Sequence, residues 1–193
     1  MIGLLNVGIL VLSTVLMIYL YKVSVSPAQM EKEIGNDAWQ KCARYRMAMG
    51  VFEGVTVANY VVYFFFPLDI GLPLTLPWDY WLSVLLAALI SMPAMYLMIR
   101  GMKDAGTETI APQKDTVLYG GIYERMRHPQ ALGEGFMWFP FALLLNSPFL
   151  VLYSFVFIPI MYLFCIFEER DLLIRFGSDY ADYKKRVGIL PKR

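Results

Sequence analysis

The strongest constraint on this chain is a series of apolar runs, several of them about 20 residues long. A helix of that length matches the roughly 30 Å hydrocarbon core of a lipid bilayer. The chain is 58% hydrophobic and only 17% charged, whereas an ordinary soluble domain carries about 25% charged residues. These runs predict an all-α, polytopic membrane protein.

Five apolar segments are candidates for transmembrane helices. The last two are separated by Asn146-Ser147-Pro148, a turn signal that predicts an antiparallel helical hairpin. Pro93 and Pro159 lie inside apolar segments and are expected to kink them. We treat residues 1–99, with three helices, and residues 100–193, with two, as parts of one integral domain. The five segments are 2–21, 47–66, 80–99, 136–145 and 149–167.

The positions of lysine and arginine predict the orientation of these helices. All 17 of these residues lie in segments 22–46, 100–127 and 170–193. Loops on the cytoplasmic side of a membrane carry an excess of lysine and arginine. Five crossings put the three basic segments together in the cytoplasm, with the N-terminus outside and the C-terminus cytoplasmic.

The fourth apolar segment is too short to cross the membrane by itself. It reaches a spanning length only if its helix begins earlier, near Pro129, because proline is tolerated in a first helical turn. Gln130 and Glu134 then lie at or below the membrane surface. Polar groups at that depth normally line a cavity.

The C-terminal region is expected to form cytoplasmic helices that cap this cavity. After Phe167 the chain becomes polar, and Gly177 is a candidate helix C-cap. Ser178 is a candidate N-cap for a last helix over 179–187. We expect these helices to lie against the membrane and to cover a cofactor pocket.

The candidate functional residues are few. His128, the only histidine, lies in the stretch GGIYERMRHPQALGE at 120–134, but an isolated histidine in a basic loop is more often a hydrogen-bonding residue than a catalytic one. Glu53 lies inside a predicted span and is a functional candidate for that reason, although it could also reach the interface or pair with Arg46. Glu168 and Glu169 either end a helix in solvent or face the cavity near His128.

Several functions are excluded by composition. Cys42 and Cys165 are isolated, so neither a disulfide nor a closed metal site is expected. A net charge of +1 gives no reason to expect nucleic-acid binding.

The spacing of these residues resembles the isoprenylcysteine carboxyl methyltransferase family, in a wider group that includes phospholipid N-methyltransferases. A Gly-x-Tyr…Arg-His-Pro element occupies 118–134, and the pair Glu168-Glu169 follows. Further matches are Leu172, Phe176, Gly177, Tyr180 and Tyr183. The resemblance covers residues 113–191 and implies S-adenosylmethionine as cofactor, bound on the cytoplasmic side. It implies a lipid or a prenylated small molecule or protein C-terminus as acceptor, and isoprenylcysteine α-carboxyl O-methylation as the reaction.

The resemblance also assigns site residues. Glu168 is the catalytic candidate, orienting the sulfonium or the substrate electrostatically rather than acting as a base. Ala131 stands where the family often has tyrosine, and Phe164 where eukaryotic members have a substrate-side arginine. The implied cofactor-binding residues are Gln113, Thr116, Val117, Leu118, Tyr123, His128, Pro129, Gln130 and Ala131. No metal is implied.

Elementary chemistry agrees with methyl transfer, and two alternatives stay open. A methyl sulfonium is already activated, so attack by a carboxylate needs positioning rather than a base or a metal. A membrane NADPH-dependent sterol-type reductase shares an Arg-His-Pro…Gly-Glu element, but its polyanionic cofactor needs a basic excess. Segment 100–133 has five basic residues against four acidic ones. A non-enzymatic scaffold would explain the apolar runs but not the sunken polar stretch. The acceptor and the oligomeric state are not determined by the sequence.

Overall fold

The computed structural model describes residues 1–114, 116 and 120–191. This part of the chain is helical, contains no strand, and has short 3₁₀ turns at Gly106–Thr109 and Gly121–Glu124. The predicted all-α class is confirmed. The α-helices are Ile2–Ser24 (α1), Pro27–Ile34 (α2), Asp37–Phe65 (α3), Tyr80–Ala105 (α4), Pro129–Leu144 (α5), Pro148–Ser154 (α6), Phe157–Phe176 (α7) and Ser178–Arg186 (α8).

Four helical stretches are long and apolar enough to cross a membrane. Their outer faces expose large apolar side chains such as Phe65, Leu89 and Leu152, and a surface of this kind is stable when lipid covers it. The chain is therefore a membrane-integral protein. The four stretches are Ile2–Ser24, Asp37–Phe65, Tyr80–Thr109 and Pro148–Phe176.

Helix α5 begins at Pro129, as the first-turn argument predicts. It has 16 residues, which corresponds to about 24 Å at roughly 1.5 Å per residue. That length is below the thickness of a typical hydrocarbon core. A fifth crossing, and the orientation that depends on it, stay predictions.

Contacts between loops define the two ends of the bundle. At one end the basic segments meet, and the Lys114 ammonium lies 2.5 Å from a Glu31 carboxylate oxygen. At the other end the Leu76 N–H donates to the Asn146 side-chain oxygen at 3.3 Å. Pro129, the first residue of α5, follows the basic segment 100–127, and Asn146 at the other end lies two residues beyond the last residue of α5.

Helices α4 and α5 pack closely because glycines face the contact. A Cβ on Gly133 would overlap the Ala94 carbonyl oxygen, and one on Gly101 would lie 2.6 Å from Gln130 Cγ. Small residues allow this close approach between helices within a membrane. Gly133 thereby fixes the position of its neighbour Glu134 relative to α4.

The last two helices differ partly from the prediction. The helix is interrupted between Ser154 and Phe157, one turn before Pro159, which offers no N–H to that turn; a bend of the helix at this point stays a prediction. The polar segment after Phe167 is not a separate helix, since α7 continues through it to Phe176. Gly177, with a φ of 54°, ends α7 as predicted.

One smaller detail also needs correction. Ser178 is the first residue of α8 rather than its N-cap, and Gly177 occupies the N-cap position. Pro93 lies inside α4, which is continuous from Tyr80 to Ala105, and the kink expected there stays a prediction.

Candidate active site

A cavity of about 250 Å³ opens between α1, α3, α4, α5 and α7 at the basic end of the bundle. This volume is near the lower end of the roughly 300–1,000 Å³ range of small-molecule pockets. Its wall combines methionines with charged residues. The lining residues are Tyr21, Arg46, Met49, Glu53, Met98, Met102, Ala105, Glu108, Thr109, Tyr123, Arg127, His128, Gln130, Ala131, Glu134, Met161, Phe164 and Glu168.

His128 is buried between two carboxylates. Its Nδ1 lies 3.2 Å from Glu168 Oε2, and its Nε2 lies 3.1 Å from Glu169 Oε1. Burial alone would lower the pKa of His128, but interactions with Cys165, Glu168 and Glu169 outweigh it and raise the pKa well above its ordinary value. A carboxylate at each ring nitrogen stabilises the protonated ring, so His128 is better suited to orient these carboxylates than to accept a proton.

Glu169 links three cationic side chains behind the cavity wall. Besides His128, it binds Arg127 Nε at 2.7 Å and Lys184 Nζ at 2.5 Å. Helix α8 supplies Lys184, and Arg127 donates to the Val187 carbonyl oxygen at the end of that helix. A buried carboxylate with several cationic partners is well compensated.

The two neighbouring glutamates consequently have different environments. The Glu169 side chain is only 8% exposed, whereas that of Glu168 is 30% exposed and faces the cavity. His128 holds Glu168 in place through Nδ1. Glu168 is thus the carboxylate that a ligand can reach.

A tight turn places Tyr123 at the cavity. Gly121 has a φ of 66°, and a Cβ there would overlap the Asp104 carboxylate. Asp104 also accepts a hydrogen bond from the Ile122 N–H at 2.8 Å. The Gly-x-Tyr element therefore needs glycine for a steric reason. The turn places the Tyr123 hydroxyl where it accepts a hydrogen bond from Gln130 Nε2 at 2.7 Å.

The sequence did not indicate Arg46 and Glu108 as site residues. Arg46 donates to the carbonyl oxygens of Glu108 at 2.6 Å and Ser24 at 3.4 Å. Its Nε is buried and has no hydrogen-bond partner among the described residues. Glu108 binds Arg175 at 2.7 Å. The sequence gave no sign that Arg46 is buried at the site, because the positive-inside rule already accounts for an arginine at that end of a predicted helix.

Glu53 and Glu134 also line the cavity. Within the described part of the chain, the ion pair between Arg46 and Glu53 that the sequence left open is not formed, since Arg46 turns to backbone carbonyls. Glu53 and Glu134 face the cavity from α3 and α5.

The structure brings together about half of the residues implied by the resemblance. Those that line the cavity are Tyr123, His128, Gln130, Ala131 and Glu168.

The other implied residues lie elsewhere. Gln113 is exposed, and its N–H donates to a Glu108 carboxylate oxygen at 2.8 Å. Thr116 and Pro129 are not part of the described lining. Val117 and Leu118 lie outside the described residues.

No group of three or more histidine, cysteine or acidic side chains suited to a metal ion occurs within the described ranges. Cys42 and Cys165 are both buried and free. The described lining of the cavity contains carboxyl groups, one imidazole, two arginines and hydrogen-bonding side chains.

Comparison with known proteins identifies the class. The family model described as phospholipid methyltransferase matches residues 78–178, just over half of the chain. The chain belongs to the phospholipid methyltransferase family. This result confirms a membrane methyltransferase of the wider group predicted from the sequence. No curated protein and no solved structure matches the chain.

Proposed function

We propose that this protein transfers a methyl group from S-adenosylmethionine to the polar end of a lipid-like acceptor. The observation that carries the proposal is the cavity wall in which His128 holds Glu168 toward the interior, in a chain of the phospholipid methyltransferase family. The cavity lies at the end where the basic segments meet. We place this end in the cytoplasm, in agreement with the positive-inside rule.

The residues present fit the cofactor. S-adenosylmethionine has one carboxylate and a cationic sulfonium, and when bound it supplies an activated methyl group. The buried and unpartnered Arg46 Nε is a suitable donor for the carboxylate. The Glu168 carboxylate has the charge opposite to that of the sulfonium and is therefore suited to orient it.

The remaining contacts are assigned by position. Tyr123, Gln130 and Ala131 would enclose the cofactor from the α5 side, since they line the cavity. Gln113, Thr116, Val117, Leu118 and Pro129 are assigned by the resemblance alone.

The chain's own residues act mainly by positioning. His128 and Glu169 form a rigid charged unit that fixes the Glu168 carboxylate. Because both ring nitrogens of His128 contact carboxylates, its role is to orient Glu168 rather than to abstract a proton. By holding the acceptor and the cofactor in a fixed relative position, these residues would contribute to the rate chiefly through orientation.

The resemblance implies the α-carboxylate of an isoprenylcysteine as the acceptor. Phe164, which stands in place of a substrate-side arginine, is buried and stacks on Tyr21 with a ring separation of 3.9 Å. A carboxylate acceptor therefore lacks that arginine contact here. The proposed function accordingly comprises a lipid-like acceptor, with the isoprenylcysteine carboxylate as one candidate.

The lining disfavours the alternative NADPH-dependent reductase. Four carboxylates line the cavity, and they would repel the phosphates of a dinucleotide. They are compatible with a cofactor whose reactive centre is cationic. The four are Glu53, Glu108, Glu134 and Glu168.

Calorimetric binding of S-adenosylhomocysteine and of NADPH to the detergent-purified protein tests the proposal. We expect binding of S-adenosylhomocysteine alone, and weaker binding in His128→Ala because Glu168 loses its anchor. Glu124→Gln is the matched control, since Glu124 is exposed in the same segment. Binding of NADPH alone, or equal affinity in His128→Ala and the control, would contradict the proposal.

A further inference from the structure

A second cavity, the α7–α8 groove, lies on a different face of α7 from the candidate active site. Its volume is about 300 Å³, and its walls come mainly from α7 and α8. Among the described lining residues, Arg127 alone also lines the first cavity. The proposed mechanism gives the α7–α8 groove no role.

One wall of the α7–α8 groove is apolar and faces the lipid. Tyr162, Ile166 and Leu173 line the groove from α7, at spacings that keep them on one side of a helix. Tyr162 is 56% exposed and Leu173 is 39% exposed, although α7 belongs to a stretch apolar enough to cross a membrane. An acyl chain can therefore lie along this wall.

The other end of the α7–α8 groove carries cationic side chains. Arg170 is exposed and lies about 12 Å along α7 from Tyr162. Within the described part of the chain, Arg170 forms no ion pair or hydrogen bond. Lys184 faces it from α8, with its side chain 43% exposed and its Nζ 2.5 Å from Glu169 Oε2. An ammonium group has three donors, so this contact leaves Lys184 able to bind a second anion.

The charges of the lining favour an anionic ligand. Three cationic side chains, Arg127, Arg170 and Lys184, line the groove together with one carboxylate, that of Glu169. Glu169 is already compensated by Arg127 and by His128 behind the wall. The groove thus has an excess of positive charge, which attracts an anion and repels a second cation.

We infer that the α7–α8 groove binds an anionic phospholipid that is not a methyl acceptor. Its phosphate would bind Arg170 and Lys184, since arginine matches the geometry of a phosphate, and an acyl chain would lie against Tyr162 and Ile166. Basic pockets beside transmembrane helices are suited to the head groups of anionic lipids. This ligand and its site go beyond the proposed function.

The bound lipid would also join α8 to α7. Helix α8 already contacts the rest of the bundle through Lys184 and through Tyr183, whose hydroxyl donates to the Tyr123 carbonyl oxygen at 2.7 Å. A phosphate between Arg170 and Lys184 adds a contact on the exposed side of the two helices. Because a ligand that binds only the folded state stabilises it, the lipid should raise the unfolding temperature.

The experiment measures lipid retention by the purified full chain in a neutral detergent. The probes are dioleoylphosphatidylglycerol, which is anionic and has no amine to methylate, and dioleoylphosphatidylcholine, which has the same chains and no net charge. Mass spectrometry of the intact complexes gives the amount of each lipid bound, and thermal unfolding is followed with each lipid and with inorganic phosphate. The variants are Arg170→Gln and Arg170→Lys. Arg125→Gln is the matched control, because Arg125 is exposed and is not part of the described groove lining.

We expect Arg170→Gln to retain about fivefold less phosphatidylglycerol than the wild-type protein, the effect of one basic residue near an anionic lipid. Arg170→Lys should keep most of the retention, and Arg125→Gln should keep all of it. Phosphatidylcholine retention should be the same in all four proteins. Phosphatidylglycerol should raise the unfolding temperature of the wild-type protein more than that of Arg170→Gln, whereas the two should unfold at one temperature without lipid.

Equal phosphatidylglycerol retention in the wild-type protein and Arg170→Gln would overturn the inference. An equal loss in Arg125→Gln would overturn it as well, because surface charge in general would then account for the binding. If inorganic phosphate raised the unfolding temperature as much as phosphatidylglycerol, the ligand would be a free anion and not a lipid. None of these results depends on S-adenosylhomocysteine binding, so a failure of the proposed function is distinguished from a failure of this site.

Discussion

Two pairs of glutamates lie at or beside the cavity, and their surroundings differ. Glu168 and Glu169 contact His128, and Glu169 also binds Arg127 and Lys184. Glu53 and Glu134 line the same cavity, but neither forms an ion pair among the described residues. A buried charge is tolerated when it is paired, and an ionisable group without such a pair in a membrane protein is a functional candidate. The comparison separates a network of paired charges from two carboxyl groups that add no ion pair to the described part of the fold.

The largest effect is expected from Glu169→Ala, which removes the centre of the paired group. It leaves Arg127 buried without its carboxylate partner and leaves His128 with Glu168 alone, so the free energy of unfolding should fall by about 3–5 kcal/mol. Thermal unfolding in detergent measures this loss. Asp182→Asn is the control, because the Asp182 side chain is 66% exposed. Similar unfolding midpoints in the two variants would show that Glu169 is not the structural centre of the site.

The next effect is expected from Gly133→Ala, which disturbs the position of Glu134. The added methyl group overlaps the Ala94 carbonyl oxygen, and overpacking of this kind costs about 1–3 kcal/mol. Methyl transfer should fall with it, because Glu134 moves relative to α4. Gly54→Ala is the matched helical control, with open space around the added Cβ. Equal stability and activity in both variants would contradict the close α4–α5 contact.

A smaller effect is expected from pH. The folded pKa of His128 is raised above its unfolded value of about 6.5. Its contribution to stability is therefore complete below pH of about 6.5 and is lost as the pH rises through the folded pKa. We expect the unfolding temperature of the wild-type protein to decrease as the pH rises through the folded pKa of His128. The unfolding temperature of His128→Asn should depend less on pH. Parallel profiles for the two proteins would rule out a charged His128.

The smallest effect on stability is expected from Glu134→Gln. The Glu134 carboxyl has no described ion-pair partner, so this substitution leaves no cation uncompensated. The free energy of unfolding should therefore change by less than about 1 kcal/mol, the typical effect of a point mutation. Thermal unfolding of Glu134→Gln beside Glu169→Ala tests the comparison directly. A loss as large as that of Glu169→Ala would mean that Glu134 also belongs to the structural network.

The sequence predicted those features that depend on local rules. Proline in a first turn located the start of α5 at Pro129, and the conformational freedom of glycine located the end of α7 at Gly177. Tyr123, Gln130 and Glu168, which the resemblance assigns to one site, line the same cavity, and their roles stay predictions.

Other features depend on contacts between distant segments and were not predictable. The polar segment after Phe167 suggested a separate helix, but polarity reports exposure to water and not a break in the backbone. The roles of Arg46 and Lys184 require knowing which helices are neighbours. Glu53 could be recognised as unusual from the sequence, whereas its position in the same cavity as Glu134 follows only from the tertiary structure.

The short length of α5 affects the energetics of substrate capture. Pulling an alkyl chain out of a bilayer costs about 0.8 kcal/mol for each methylene group, so full extraction of a long-chain lipid would be prohibitive for a catalyst. A helix of 16 residues allows the reactive layer to lie below the level at which longer helices end. Under the proposed function, the acceptor would keep its tail among other lipids and move only its head group into the bundle.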